Sequence, residues 1–394
     1  MTWNTDPALH QEKKRELPPG WRWVKLGEVC EQYRKIVHTK SELADSLPYL
    51  SLEHIEANTG RILKEPSMPM EDEGISTTFE FDNKHVLYGK LRPYLNKVAL
   101  PTFRGRCTTE IIPLLPADGV NRAYLCWILR RSETVGSAMQ EKTGSRMPRA
   151  SMNELMYLEI PLPPLAEQKR IAAILNDQMA AVDRARTAAR SQLHDANALS
   201  FVYLSESLKN GKTTEIRMQE CLIEVSEGVG NSWAKLPVFG ATRNGIAPAK
   251  EPVGKKPERY KIVDEGTIFY NPMRILIGSI AFVDEGDTIG ITSPDYVVIK
   301  TRTGILHHRW FYYWLRSPYG ENFIRSLARG AVRERMLFRR LATGMIRIPD
   351  WATQIQFAQE LYGIRKLVST IEAQLQEIEA LPASLLNRAF NGEI

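Results

Sequence analysis

The sequence predicts an α+β chain: two mixed α/β globular domains, each followed by a long helix, with the helices paired as an antiparallel coiled coil in an internal pseudo-two-fold repeat. Three observations lead there. A motif of the form Q-x-x-apolar-A-x-x-L occurs twice, at Gln168, Ile171, Ala172 and Leu175 and again at Gln354, Phe357, Ala358 and Leu361, each member displaced by 186 positions. Each copy follows a short apolar stretch that runs into proline, at residues 157–164 (Pro163 and Pro164) and 345–350 (Pro349, then Asp350). After the second copy, apolar residues fall at Leu361, Ile364, Val368, Ile371, Leu375, Ile378 and Leu385, with Pro382 in the remaining slot. Alternating steps of four and three make a heptad seam, and self-similarity at a fixed offset marks a duplication.

Taken in order, residues 1–160 form the first domain, of which about 16 at the start are expected to be loose. Residues 161–209 form the first long helix, 210–349 the second domain and 350–394 the second long helix. Both domains carry β-branched runs broken by Gly and Pro, which reads as short strands and turns. The likeness extends upstream of the helices. Residues 86–95 (VLYGKLRPYL) match 267–276 (TIFYNPMRIL), aligning Tyr88 with Tyr270 and Arg92 with Arg274. Residues 123–131 match 308–317 as aromatic helices ending in Arg, and Tyr124, Trp127, Trp310, Phe311, Tyr312, Tyr313 and Trp314 read as core anchors rather than stacking platforms. In the first long helix the seam slots hold Ile171, Leu175, Gln178, Val182, Ala185, Ala189, Gln192, Ala196, Leu199 and Tyr203. These smaller and more polar residues complement the large ones of the second helix.

Composition bounds the function. Of 394 residues 43% are apolar, enough for packed cores and too many for a disordered chain. Cys30, Cys107, Cys126 and Cys221 lie far apart, which argues against a thiolate zinc site or a disulfide framework. The first residues lack the apolar core of a secretory signal, and no stretch approaches the ~20 apolar residues of a membrane span, so a cytoplasmic protein with no membrane partner is expected.

No catalytic motif is complete. Gly211–Thr213 would end a phosphate-binding loop, but Glu206 replaces its leading glycine. Gly228 and Gly230 begin a dinucleotide fingerprint that Trp233 breaks. At residues 294–300 Val298 stands where a nuclease needs a carboxylate for its metal. The chain is therefore expected to be non-catalytic, with no metal site of its own. The net charge of +6 matters through its distribution. Arg325, Arg329, Arg333, Arg335, Arg339, Arg340 and Arg347 form one basic run, Lys90, Arg92, Lys97, Arg104 and Arg106 a second, and Lys142, Arg146 and Arg149 a third. Arginine forks suit phosphate and guanine alike. A solvated charged face is the bland alternative, and basic runs at corresponding places in duplicated domains favour the functional one.

The opening at residues 17–29 (LPPGWRWVKLGEV), the segment 90–101 (KLRPYLNKVALP), the Gln168 motif (IPLPPLAEQKRIAAIL, 160–175) and the ending at 381–394 (LPASLLNRAFNGEI) resemble type I restriction–modification specificity subunits. The second domain departs most, lacking the P-x-G-W opening. The resemblance implies two target-recognition domains, each reading one half of a split double-stranded DNA target. It implies two methyltransferase subunits as partners, which modify adenine with S-adenosylmethionine, and motor–nuclease subunits that use ATP and Mg²⁺. It places no cofactor in this chain. The expected DNA contacts are Lys90, Arg92, Tyr94, Lys97, Ser145, Arg146 and Arg149 in the first domain, and Arg243, Asn244, Asn271, Arg274, Arg333 and Arg335 in the second. Lys169, Arg170, Arg184 and Arg365, off the seam, are expected to face partner subunits. Two rival readings differ in class: a coiled-coil scaffold of a phage-defence assembly without sequence-selective binding, and a stand-alone methyltransferase or nuclease.

Overall fold

A computed structural model describes residues 16–38, 41–63, 77–139, 147–210, 212–328 and 335–394. It divides into two compact units, residues 1–187 with 376–394, and residues 188–375. The division falls within the two long helices, Leu165–Asn210 and Trp351–Phe390, so each unit holds the start of one and the end of the other.

In the first unit, Arg22–Lys25 pairs antiparallel with Glu159–Leu162, which delivers the chain to the first long helix. One four-stranded sheet orders Cys30–Gln32, Ile111–Pro116, Val86–Gly89 and Val98–Ala99. The other orders Ile36–Val37, Thr78–Phe81, Gly105–Thr108 and Tyr49–Leu50, the last pair parallel. The helix Arg122–Leu129, capped by the Asn121 side chain, closes the domain with Tyr124, Leu125, Cys126, Trp127, Ile128 and Leu129 all buried. Its core includes Ile171 and Leu175 from the first turns of one long helix and Leu386, Ala389 and Phe390 from the last turns of the other.

The second unit repeats this plan. Thr213–Arg217 pairs with Met345–Pro349 ahead of the second long helix. One sheet orders Leu222–Glu224, Val297–Thr301, Ile268–Tyr270 and Ile280–Phe282, and a second holds the hairpin Val238–Thr242/Gly245–Pro248 with Gly290–Thr292 and Lys261–Val263. Here too one pair is parallel, Val238–Thr242 with Gly290–Thr292. The closing helix is His308–Arg316, and its core takes Phe357 from one long helix and Leu204 from the other. The absent P-x-G-W opening therefore does not alter the architecture: both units begin with a strand, one short helical turn and a second strand. The aromatic anchors behave as the sequence predicts, with Tyr124, Trp310 and Phe311 essentially inaccessible.

Within each unit the long helices pair antiparallel. In the first, Phe390 at the end of one long helix meets Tyr124 of the closing helix edge-on at 5.3 Å, in a core that also takes Ile171 and Leu175 of the other; in the second, Tyr203 meets Phe357 across the pair at 6.3 Å. The seam buries Ile171, Leu175, Val182, Ala189 and Ala196 as the heptads predict, whereas the predicted slots Ala185 and Gln192 are exposed. It then slips by one residue: Ser200, Leu204 and Ser207 are buried, whereas Leu199 is exposed. The second helix slips likewise, burying Leu386 in place of Leu385 and leaving Leu381 exposed. A helix of 3.6 residues per turn drifts against a seven-residue repeat, and a one-residue slip restores the buried stripe. The last turn ends on Gly392 at φ +75°, where the Glu393 N–H bonds to the Arg388 carbonyl and closes a Schellman cap.

Candidate nucleic-acid interface

The candidate site is a pair of loops in each unit. In the first, the chain leaves Val86–Gly89, passes Lys90–Lys97 and re-enters the sheet at Val98. Pro93 starts a short 3₁₀ turn, Pro93–Leu95, flanked by Arg92 at φ +52° and Asn96 at φ +47°. Asn tolerates the left-handed region well; Arg does so less readily, and the neighbouring backbone holds it there. The Arg92 N–H donates to the Pro148 carbonyl at 2.7 Å and the Ala150 N–H to the Lys90 carbonyl at 2.8 Å. Lys90, Arg92, Tyr94 and Arg149 are thus brought together by two stitched segments. Tyr94 is exposed, and the Arg92 Nε is buried with no hydrogen-bond partner among the described residues.

Other basic residues are already engaged. Lys97 donates its ammonium to the Leu52 carbonyl at 2.7 Å, and burial pulls its pKa down. Arg149 rests on Glu110 at 3.0 Å, and Arg104 on Glu80 at 2.8 Å. Arg106, read in sequence as part of a basic run, is wholly buried with its Nε on the Ala44 carbonyl and its guanidinium over Tyr49. Alternation puts it on the face opposite buried Cys107, and the helix Glu42–Ser46 covers that face too, so Arg106 is closed away from any ligand. Ser145, Arg146 and Arg333 lie outside the described residues.

The second unit reproduces the loop. Asn271–Ser279 follows Ile268–Tyr270, with the Asn271 side chain accepting from the Met273 N–H at 2.9 Å. A 3₁₀ turn, Ile275–Ile277, ends at Gly278 with φ +83°, in the place of Asn96. The Met336 N–H donates to the Pro272 carbonyl, which stitches Arg335 beside Arg274. Arg274 and Arg335 are exposed. The hairpin turn carrying Arg243 and Asn244 joins them, because the Arg243 Nε donates to the Ile277 carbonyl at 2.9 Å. Five predicted residues, Arg243, Asn244, Asn271, Arg274 and Arg335, therefore converge.

Sequence reasoning missed the counterpart of that hairpin. In the first unit the turn at Asn58, Thr59 and Gly60 docks on the loop through the Asn58 N–H to the Leu95 carbonyl, 3.0 Å. Asn58 and Gly60 both have positive φ, and a Cβ at Gly60 would lie 1.8 Å from the Val98 carbonyl oxygen. Arg61 is exposed and paired with Glu56, whose carboxyl the Thr59 hydroxyl holds below the usual range. The signal was an Asn one or two residues before a Gly in each turn. A second missed element is a pair of arginines at the ends of the closing helices. Arg130 donates to the Asn58 carbonyl, and Arg316 to the Arg243 carbonyl. Both lie 186 residues apart, and each grips its hairpin.

Of the residues assigned to partners, Lys169 and Arg184 are exposed. Arg170 is bound to Glu167 at 2.7 Å and reaches the terminal Ile394 carbonyl. Arg365 joins a charged network instead: it meets Asp284 at 3.0 Å and Asp287 at 2.7 Å, while buried Arg309 chelates Asp284 through its Nε.

The cap of the second closing helix brings a titratable group to this region. His307 accepts from the Arg309 N–H, as Asn121 does from the Tyr124 N–H. Burial, then neighbouring His308 and Arg309, lower its pKa to about 4. An unfolded His titrates near 6.5, so between these values the unfolded chain takes up a proton that the folded chain refuses. Stability is therefore complete above about pH 6.5 and falls as pH drops toward 4. His307→Asn, which supplies the first unit's cap, is expected to flatten this slope by up to about 1.4 kcal/mol per pH unit. His308, lowered by burial and Arg309, leaves a slope of the same sign. Urea unfolding of both proteins across the window checks this; equal slopes would contradict it.

Among the described residues no group of His, Cys, Asp and Glu is placed to hold a metal, and no helix is long and apolar enough to cross a membrane. The four cysteines are buried, and burial pushes the Cys30 thiol up to about 12.

Comparison with known proteins places this geometry. Residues 18–188 match the family model of the type I restriction modification DNA specificity domain. The type I restriction enzyme EcoDI specificity subunit of Escherichia coli is 26% identical over 216 residues, 54% of this chain and 47% of that one. The chain thus spans about half the length of that relative. The MjaVIII specificity subunit of Methanocaldococcus jannaschii is 21% identical over 96% of this chain and 94% of its own. The fold matches the HsdS subunit from Thermoanaerobacter tengcongensis with TM-score 0.52, at 21% identity over 97% of this chain and all of that one. A chain solved in a study of complex assembly and conformational transition of the type I R-M system matches with TM-score 0.67, at 20% identity over 96% of this chain and all of the other. The duplicated Gln motif, the repeated α+β units and these likenesses agree: residues 18–188 match a type I restriction modification DNA specificity domain, and the chain as a whole is similar in sequence and fold to specificity subunits of type I restriction enzymes.

Proposed function

We propose that this chain is the DNA-reading, non-catalytic subunit of a type I restriction–modification complex, in which each unit reads one half of a split double-stranded target. The observation that carries this reading is the duplicated loop-and-hairpin constellation. Each unit presents basic and amide side chains on backbone held by corresponding stitches, Ala150 to Lys90 and Met336 to Pro272, and by the arginine at the end of its closing helix. Cationic contacts to phosphate would set the register of each unit, and a few side chains would read base edges. Two methyltransferase subunits would supply adenine methylation with S-adenosylmethionine, and motor–nuclease subunits would supply ATP- and Mg²⁺-dependent cleavage; no cofactor is assigned to this chain. Exposed Lys169 and Arg184 are the remaining candidates for partner contacts. The closure of Arg365 into an internal network, and of Arg170 onto Glu167, makes those two weaker choices.

The long helices would act as a ruler. The first has 46 residues and spans about 69 Å at ~1.5 Å per residue, whereas half-sites on one face of DNA recur every ~34–36 Å. Lengthening both long helices by one turn is expected to widen the gap in the methylated target and leave both half-sites unchanged. Sequencing the methylated positions reads the result, and altered half-sites around an unaltered gap would remove the ruler.

A further inference from the structure

Gln168 and Gln354 are almost completely buried, and their carboxamides make the same three bonds. Gln168 accepts from the Asn121 N–H at 2.7 Å and donates to the Gly119 and Pro163 carbonyls at 3.2 and 2.9 Å. Gln354 accepts from the His307 N–H at 2.8 Å and donates to the Ile305 and Pro349 carbonyls at 3.0 and 2.8 Å. Every partner in the second set lies 186 residues after its counterpart in the first. One carboxamide thus ties three backbone segments together: the cap of the closing helix, the turn before it, and the end of the strand that feeds the long helix.

The surroundings of the two clamps have diverged. Trp127 bonds to Asn176 in the first unit, where the second places Tyr313 and Tyr362. Asp284, Arg309 and Arg365 stand where the first unit has Thr102, Ala123 and Met179. Packing alone would be served by many apolar side chains. A three-bond carboxamide fixes distance and angle as well, because each donor and acceptor must meet its partner in line.

The closing helix carries that constraint to the loops. At its start, the Gln holds the cap residue. At its end, Arg130 or Arg316 holds the hairpin carbonyl, and the Asn96 amide donates to the Arg130 carbonyl at 2.8 Å. Arg316 also donates to the Ile280 carbonyl at 3.1 Å, in the strand that leaves the loop. Eight helical residues between these ends make a strut of about 12 Å.

We propose that Gln168 and Gln354 are positioning residues that set the angle between each long helix and its own recognition loops, and so sharpen the choice of gap between half-sites. This rests on the reading of the chain as the DNA-reading subunit. The test uses the complete methyltransferase complex and DNA duplexes carrying its mapped target, with gaps of native length and one base pair shorter or longer. Gln168→Met fills the same space without the three bonds. It is expected to lower the preference for the native gap by about tenfold while leaving the ranking of single-base changes within each half-site intact. A merely structural role would weaken every duplex by the same factor, and that result, or unchanged gap preference, would overturn the proposal. If Gln168→Met fails to assemble, Arg130→Lys loosens the other end of the same strut and is held to the same criterion. A wild-type complex that selects no split target would instead overturn the underlying functional reading.

Discussion

Asp284→Ala is expected to destabilise the second unit by about 3–5 kcal/mol, the range for removing one partner from a buried ion pair. Asp284 is inaccessible to solvent and receives two guanidinium groups, Arg309 through its Nε at 3.0 Å and Arg365 at 3.0 Å. Arg309 is itself buried, lies over the Tyr362 ring and donates to the Ala358 carbonyl in the second long helix. Without the carboxylate, that cation remains in a poorly solvated place facing other positive charge. The magnitude comes from the stranded charge rather than from the worth of the bridge. Replacing the set by the first unit's residues, Asp284→Thr with Arg309→Ala and Arg365→Met, is therefore expected to recover much of the loss. Urea unfolding of the single and triple variants decides it; a triple variant no more stable than Asp284→Ala would show that the network contributes more than mutual neutralisation.

Arg274→Ala carries the second large expectation, a loss of about 1–3 kcal/mol in binding the cognate target, with discrimination relaxed at one position of one half-site. Arg274 is exposed on a loop held by the Asn271 turn, the 3₁₀ turn and the stitch to Met336, so its backbone is fixed while its fork is free to reach a base edge. A phosphate contact behaves differently. Its removal weakens all sequences alike and reduces the dependence of affinity on salt. Titrating a panel of singly substituted targets at two salt concentrations separates these outcomes. Uniform weakening with a shallower salt slope would reassign Arg274 to the phosphates, and no change in either would remove it from the interface.

The architecture was legible because the duplication is written in residues whose roles are strict. A buried Gln that satisfies three backbone groups leaves little room for substitution, and heptad spacing follows from helix geometry. The candidate loops were legible in part. The match of Arg92 to Arg274 survives because both precede a 3₁₀ turn closed by a left-handed residue, Asn96 or Gly278. Their separation is 182 residues, against 186 at the Gln clamps, and this insertion hid the match between the Asn58 and Arg243 hairpins. Charge runs were the least informative signal. Arg106 and Arg365 look alike in sequence to Arg274, yet one is buried under the helix Glu42–Ser46 and the other is held by carboxylates 81 and 78 residues away, Asp284 and Asp287. Nothing local in the sequence marks such distant partners.

The most direct test of the proposed DNA selection by this chain is methylation mapping in cells that carry it with the proposed methyltransferase partner, against cells lacking this chain alone. The expected result is a split motif, two short defined halves around a fixed gap, that disappears on deletion. An unchanged methylation pattern from an active, assembled partner would contradict the assignment and leave the chain as a scaffold.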